Sequence, residues 1–246
     1  MIQEEYMKRF IIATAVMISL CSVVSAQAQY AITNDVIFVR AGFIPVSQTS
    51  FDEGWSGVNP SGASSSNTTA DVQDLEGSGF AVNAEYNLNL GNVWIGFGIE
   101  YQRVSSEFSI AETGSTTQDF SEHVNQFIQP MVTAKFVAAG GFYAGLGISG
   151  KYLIATEKIN SNTTPDLNGE WDSKLDLWGH VVAGFFFPVA EGVYFDVEGR
   201  FGINITNNQF ESMSGNGPAE ANVSPKNSYD IALYVGVGFR ALSTGL

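Results

Sequence analysis

Two histidines, His123 and His180, are the side chains best suited to acid–base chemistry in this chain of 246 residues. A catalytic serine needs a histidine within hydrogen-bond reach and a carboxylate behind that histidine. His123 is followed by Val-Asn and His180 by Val-Val, so neither has the His-x-Ser spacing of a deacylase site. We therefore expect no enzymatic activity, and we expect His180 to bond Glu198 or another carboxylate.

Charged residues recur at every second position of several segments, which places them on one face of extended strands. Between residues 193 and 205 the even positions include Asp196, Glu198 and Arg200, whereas the odd positions are apolar or glycine. The polar faces together hold five cations, six carboxylates and one histidine: Arg40, Lys135, Lys151, Arg200, Arg240, Glu85, Glu100, Asp176, Asp196, Glu198, Asp230 and His180. The opposite faces have no charged side chain at their central positions.

Eight alternating segments must position these charges: 36–46, 80–90, 93–101, 124–136, 142–154, 175–187, 193–205 and 229–239. Short turns at 91–92, 138–141 and 188–192 alternate with long polar connections at 48–76, 104–121, 156–174 and 206–226. This asymmetry is typical of outer-membrane barrels, which have brief periplasmic turns and long extracellular loops. The sequence predicts an all-β, eight-stranded antiparallel up-and-down transmembrane barrel with four extracellular loops and three periplasmic turns.

The lumen of such a barrel is just wide enough for its own side chains, and charges buried there must be paired. Counting from the turns places six inward residues near mid-height: Arg40, Glu85, Glu100, His180, Glu198 and Arg200. Together with Lys151 they form the predicted lumenal ion-pair network. Within it, Arg40 should pair with Glu85, and Arg200 with Glu198 or Glu100. Two interpretations stay open: the network satisfies the interior, or it gates small ions.

Four aromatic residues on the inward faces lie next to the short turns: Trp94, Tyr143, Phe186 and Tyr194. We predict that they form an aromatic floor that closes the periplasmic end of the lumen. A general diffusion porin is then not expected.

The composition excludes several classes of protein. Eleven Lys and Arg stand against 25 Asp and Glu, a net charge of −14, which argues against binding to a nucleic-acid backbone. A single cysteine excludes a disulfide scaffold. The acidic loops lack the Asp-x-Asp-x-Asp-Gly spacing of a calcium loop, so we expect no metal and no cofactor, although carboxylates there could bridge to lipopolysaccharide through divalent cations.

The N-terminus has the features of a secretory signal. Lys8 and Arg9 precede an apolar run from Phe10 to Val24, and small residues at Ala26 and Ala28 permit cleavage. We predict a signal peptide at 1–28, with Met7 as an alternative start, followed by one domain over 29–246. The mature chain then leaves the cytoplasm.

A soluble exported ligand-binding barrel would show the same alternation with its faces reversed. Its water-facing side should be dense in Lys and Glu, but the polar faces here hold sparse charge and several glycines, including Gly96, Gly98 and Gly236. The sequence therefore favours the membrane barrel. A small-solute or ion channel and the soluble barrel remain the alternatives.

Three strand sequences resemble a known family: Gln126-Phe-Ile-Gln-Pro-Met-Val-Thr-Ala-Lys-Phe136, Phe142-Tyr-Ala-Gly-Leu-Gly-Ile-Ser-Gly-Lys-Tyr152 and Val193-Tyr-Phe-Asp-Val-Glu-Gly-Arg-Phe-Gly-Ile203. They are similar to eight-stranded barrels of the OmpX and OmpA type, and most to the outer-membrane β-barrel family that includes the PorT secretion-associated protein. The resemblance implies the outer membrane of a Gram-negative bacterium, insertion by the barrel assembly machinery, contact with lipid and lipopolysaccharide, and a structural or secretion-associated role through surface loops.

Pro130 conflicts locally with this fold. Every strand of a closed barrel is paired on both sides, and proline has no N–H to donate. We predict a bulge or a gap in the strand pairing at this residue.

Overall fold

The computed structural model describes residues 34–51, 55–57, 68–72, 75–112, 118–138, 140–161, 167–170, 175–206, 212–215, 220–221 and 225–241. The signal peptide predicted at 1–28 lies outside these ranges. In the described part of the chain, no helix is long and apolar enough to cross a membrane.

The fold is a closed, eight-stranded antiparallel barrel, as the sequence predicted. Its strands, which we number in chain order, are β1 (Val36–Phe51), β2 (Leu75–Asn89), β3 (Val93–Glu112), β4 (Gln118–Val137), β5 (Phe142–Ser161), β6 (Leu175–Ala190), β7 (Val193–Asn204) and β8 (Pro225–Arg240). Each strand pairs with its neighbours in sequence, and β8 returns to pair with β1. Closure leaves no barrel strand with a free edge, which is what an up-and-down topology requires.

Tight turns join the strands at one end, which we call the short-turn end. Gly91, Gly140, Gly141 and Gly192 adopt φ angles between 70° and 89° in these turns. Gly91 shows why these turns need glycine. The Leu90 N–H donates to the Val93 carbonyl at 2.9 Å, so the chain reverses over two residues, and such a tight turn requires a positive φ. We call the opposite end the long-loop end.

The strands reach further toward the long-loop end than the sequence predicted. The connection expected at 104–121 is mostly a continuation of β3 and β4, which stay in register up to Ala111 and Gln118. Among the described residues of the remaining connections there are five short strands: Trp55–Gly57, Thr68–Val72, Leu167–Glu170, Ser212–Gly215 and Glu220–Ala221. Polar side chains do not end a strand whose backbone groups remain paired, so polarity alone placed the boundaries too early.

The alternation separates an apolar exterior from a polar interior. On β2, Val82 is 47% exposed whereas its neighbours Asn83 and Glu85 are almost fully buried. Apolar residues are exposed and polar residues are buried all around the barrel, which is the reverse of the pattern in a soluble protein. The exposed apolar side chains include Ile37, Phe43, Phe97, Ile99, Val132, Leu146, Val181, Val197, Leu233 and Val235.

Two apolar clusters occupy the lumen in the described part of the chain. One lies at the short-turn end and comprises Val36, Phe38, Trp94, Tyr143, Phe186 and Tyr194. The other lies nearer the long-loop end and comprises Ile44, Ala81, Val104, Phe127, Leu153, Ala232 and Tyr234. Most of the buried charged side chains fill the space between them.

Pro130 interrupts the pairing without shifting it. Ile128 pairs with Tyr152 and Met131 with Ser149, but Gln129 and Pro130 have no partner on β5. The nearest register shift lies between Gln126 and Phe127. The predicted defect is therefore a gap in the ladder, and the residues on both sides keep one register.

Candidate functional site: a buried charge network in the lumen

Arg40 on β1 is the centre of the lumenal network. Its Nη1 lies 2.6 Å from Glu85 Oε2 and its Nε lies 2.5 Å from Asp196 Oδ2, and all three side chains are fully buried. Nη2 is 3.4 Å from Glu198 Oε2, and Asn83 Oδ1 accepts a further hydrogen bond at 3.1 Å. Alternation places these side chains inward, and pairing of β1 with β2 brings Arg40 opposite Asn83.

Arg200 on β7 forms the second half of the network. It donates to Glu100 Oε2 and to Glu198 Oε1, both at 2.6 Å. Lys135 joins the halves, since its Nζ lies 2.6 Å from Glu85 Oε2 and 3.3 Å from Glu198 Oε2. The connected network thus contains three cations and four carboxylates, counting Asp196 with the others named.

Neutral donors compensate the additional carboxylate. Tyr143 Oη donates to Asp196 and to Glu198 at 3.0 Å each, and Tyr234 Oη donates to Glu100 Oε2 at 2.9 Å. Hydrogen bonds to charged acceptors are stronger than those between neutral groups, and burial strengthens them further. The arrangement can therefore hold ionised side chains away from water.

The structure brings together the predicted pairs Arg40–Glu85, Arg200–Glu198 and Arg200–Glu100. Lys135 and Asp196 belong to the same network, although the count from the turns placed neither at mid-height. Alternation had put both on the inward face. Their height was missed because barrel strands are tilted and staggered, so equal distance from a turn does not mean equal height.

Lys151 and His180 lie outside that network, in contrast to the prediction. Lys151 Nζ pairs with Asp230 Oδ2 at 3.1 Å and stands over the rings of Phe127 and Trp178, 4.7 and 4.3 Å from their centroids. His180 Nε2 contacts Ser149 Oγ at 2.6 Å and Gln129 Nε2 at 3.0 Å, so its partners are polar neutral groups and not the expected carboxylate.

Arg240 was also expected to face inward, but its side chain is exposed. It is the last residue of β8, and its backbone N–H bonds the Gly192 carbonyl in the neighbouring turn. At a strand end the side chain reaches water without entering the lumen. The other ten charged residues predicted to face inward, and His180, are buried.

The four residues of the predicted floor pack together at the short-turn end. Phe186 is central: its ring centroid lies 5.2 Å from that of Trp94, 6.1 Å from Tyr143 and 6.0 Å from Tyr194. Phe38 completes the layer at 6.0 Å from Phe186 and stacks beneath Arg40, whose Cζ is 4.7 Å from the Phe38 centroid. Sequence alternation had Phe38 on the inward face of β1 but gave no reason to add it to this layer.

The described part of the chain contains no group of three or more His, Cys, Asp or Glu side chains arranged to hold a metal ion. The carboxylates of the lumen instead accept hydrogen bonds from arginine, lysine, tyrosine and threonine.

Comparison with known proteins finds similar structures at low identity. No protein-family model and no curated protein matches the chain. The structure is similar to the outer membrane protein OprG from Pseudomonas aeruginosa (TM-score 0.46, 11% identity, 85% of this chain and 97% of that one). It is similar to the outer membrane protein AlkL (TM-score 0.45, 11% identity, 90% and 97%) and to the outer membrane protease OmpT from Escherichia coli (TM-score 0.37, 11% identity, 88% and 100%).

Proposed function

We propose that this chain is an integral outer-membrane protein with a closed lumen, which acts at the cell surface through the connections at its long-loop end. The observation that carries the proposal is the combination of an uncharged exterior with a filled interior. Insertion by the barrel assembly machinery and a secretion-associated role, both implied by the family resemblance, belong to the same proposal.

The distribution of charged side chains on the exterior supports the proposal that lipid surrounds the barrel. Outward charged side chains whose burial is described lie only near the two ends: Asp35, Glu191 and Arg240 at the short-turn end, and Glu76, Arg103, Glu107, Glu122 and Glu157 toward the long-loop end. The belt between them is apolar. An Arg or Lys at the midplane of a membrane barrel costs about 2–4 kcal/mol, so lipid selects against charge there, whereas water does not.

Aromatic side chains at the edge of the belt support the same orientation. Phe142, Phe185, Phe187 and Phe195 form a continuous outward row near the short-turn end, with ring centroids 4.5–5.7 Å apart. Aromatic girdles at the interfaces are a general feature of membrane barrels. Phospholipid and lipopolysaccharide are accordingly the partners proposed for this wall.

The interior supports a scaffold more than a channel. The aromatic floor blocks one end, and the ion pairs of Arg40, Lys135 and Arg200 cross the lumen above it. A passing ion would have to break several buried pairs, each of which is costly to leave half satisfied.

Membrane integration is tested by extraction and by gel mobility. Folded membrane barrels stay compact in detergent until heated, so we expect the band to shift on boiling, and we expect carbonate washing to leave the protein in the membrane fraction. Release by carbonate or salt alone would contradict the membrane assignment and favour a soluble barrel.

Closure of the lumen is tested in planar bilayers. The unmodified protein should give negligible conductance, and Phe186→Ala, which opens the floor, should give more conductance than Phe187→Ala. Phe187 is the matched control because it is the adjacent phenylalanine and faces outward, 39% exposed. Steady conductance from the unmodified protein would replace the scaffold with the channel alternative.

A further inference from the structure

A serine and a histidine from neighbouring strands meet in the lumen above the charge network. Ser149 on β5 and His180 on β6 are 96% and 95% buried, and Ser149 Oγ lies 2.6 Å from His180 Nε2. The contact joins two neighbouring strands, so it does not appear as a serine–histidine motif along the sequence.

Gln129 on β4 contacts both the serine and the histidine. Its amide Nε2 donates to Ser149 Oγ at 2.6 Å and also lies 3.0 Å from His180 Nε2. Nε2 of a neutral imidazole has a single acceptor lone pair, so it accepts from one neighbour at a time. Activation of Ser149 requires that its hydroxyl donates to Nε2, and the imidazole then carries its own proton on Nδ1.

Asp230 lies on the other side of the imidazole. A Cβ built on Gly202 would collide with Asp230 Oδ1 and would stand 3.1 Å from His180 Nδ1, so only glycine fits beside these two side chains. Nδ1 has no hydrogen-bond partner among the described residues, although it is buried. Asp230 is held in turn by Lys151 at 3.1 Å.

The gap in the wall lies beside this group. Gln129 and Pro130 have no ladder partner on β5, and Ser149 pairs with Met131 immediately next to them. Pro130 is exposed on the outer wall, whereas Gln129 faces inward. Pairing between β4 and β5 is therefore interrupted beside Ser149, whereas β4 stays paired with β3 at the same residues.

We propose that Ser149 is an activated nucleophile toward carboxylic esters, with His180 as its base. Ser149 Oγ attacks the ester carbonyl carbon while its proton passes to His180 Nε2. The bond to the alcohol oxygen then breaks, and the leaving alcohol takes the proton from Nε2. Water attacks the acyl-serine by the same proton path, releasing a carboxylic acid and restoring the serine. Gln129 Nε2, 2.6 Å from Ser149 Oγ, is the donor proposed for the oxyanion.

A fluorophosphonate probe tests the nucleophile on the folded, detergent-solubilised full chain, with heat-dependent gel mobility to verify folding. We expect a phosphonyl adduct on Ser149 by mass spectrometry. Ser149→Ala should abolish the adduct, and His180→Gln should slow its formation about 10²-fold or more, the usual contribution of a general base. Ser106→Ala is the matched control, because Ser106 is also a lumenal serine, equally 96% buried, and should leave labelling unchanged.

Two ester substrates distinguish the source of the acyl group. p-Nitrophenyl butyrate represents a water-soluble ester, and vesicles of a phospholipid with a labelled acyl chain represent a membrane ester. Turnover of either that is lost in Ser149→Ala supports the proposal, and turnover of the phospholipid alone identifies the wall as the entrance. The proposal is overturned if the folded protein forms no adduct, or if His180→Gln labels as fast as the unmodified protein. Either result leaves the membrane and conductance tests above unaffected.

Discussion

Replacing Arg40 by methionine tests whether the lumenal network behaves as a buried ion-pair system. Methionine keeps an unbranched side chain but removes the charge and every donor. Arg40 contacts Glu85, Asp196 and Glu198, and its side chain is inaccessible to solvent. Glu85 and Glu198 retain Lys135 after the substitution, whereas Asp196 retains only the Tyr143 hydroxyl among the side-chain partners in the described residues.

The expected loss of stability follows from the Asp196 carboxylate, which has no cationic partner among the described residues after the substitution. Removing one partner of a buried ion pair destabilises a protein by about 3–5 kcal/mol, because the other charge is left without compensation. Arg40→Met should therefore lower the free energy of unfolding by about 3–5 kcal/mol. Adding Asp196→Asn neutralises the uncompensated group, so the double variant should lose less than the sum of the single losses, with a coupling of about 0.5–3 kcal/mol.

The assay is urea unfolding of the protein refolded in lipid vesicles, followed by tryptophan fluorescence and evaluated by linear extrapolation. Arg240→Met is the matched control, since it makes the same chemical change at an exposed strand end and should stay within about 0.5 kcal/mol of the unmodified protein. A loss of less than about 1 kcal/mol for Arg40→Met, or strict additivity with Asp196→Asn, would refute the reasoning.

Two further predictions each compare a pair of substitutions. The first compares an inward with an outward glycine, and the second compares the middle of the outer wall with its short-turn end. Gly42→Ala should destabilise the barrel by about 1–3 kcal/mol, because a Cβ there would stand 2.6 Å from Tyr234 Cε1. Gly199→Ala should be neutral or slightly stabilising, because its Cβ would meet Leu233 only at 3.7 Å. Equal urea midpoints for the two variants would contradict this prediction. Val235→Arg, on the middle of the outer wall, should cost about 2–4 kcal/mol in vesicles and Leu90→Arg, beside a turn, about 0–1 kcal/mol, and no difference between the two would argue against a surrounding bilayer.

The ends of the strands could not be predicted from the local sequence. The polar stretch after Val104 reads as a loop in sequence, but β3 continues to Glu112 because its backbone remains paired with β4. Pairing depends on a second strand, so its extent is not encoded in the composition of the first. The same holds for Pro130, where the sequence predicted a defect and the register on both sides decided that it is a gap.

The candidate site was predictable in content and not in arrangement. Alternation identified Arg40, Glu85, Glu198 and Arg200 as inward, and the four rings of the floor as neighbours of the turns. It could not assign Lys135 to the network or Lys151 away from it, because height in the lumen depends on how far each tilted strand is displaced against the next.

The sequence by itself determined which face of each strand meets the exterior and which meets the lumen, since side chains alternate with a period of two whatever the neighbours are. Only the tertiary structure decided which inward side chains touch. Arg40 and Asp196 are 156 positions apart in the chain, and Ser149 and His180 meet from neighbouring strands. Closure of the sheet brings its first and last strands together, and the stagger between strands sets which inward residues share a level, so these contacts follow from the shape of the whole barrel.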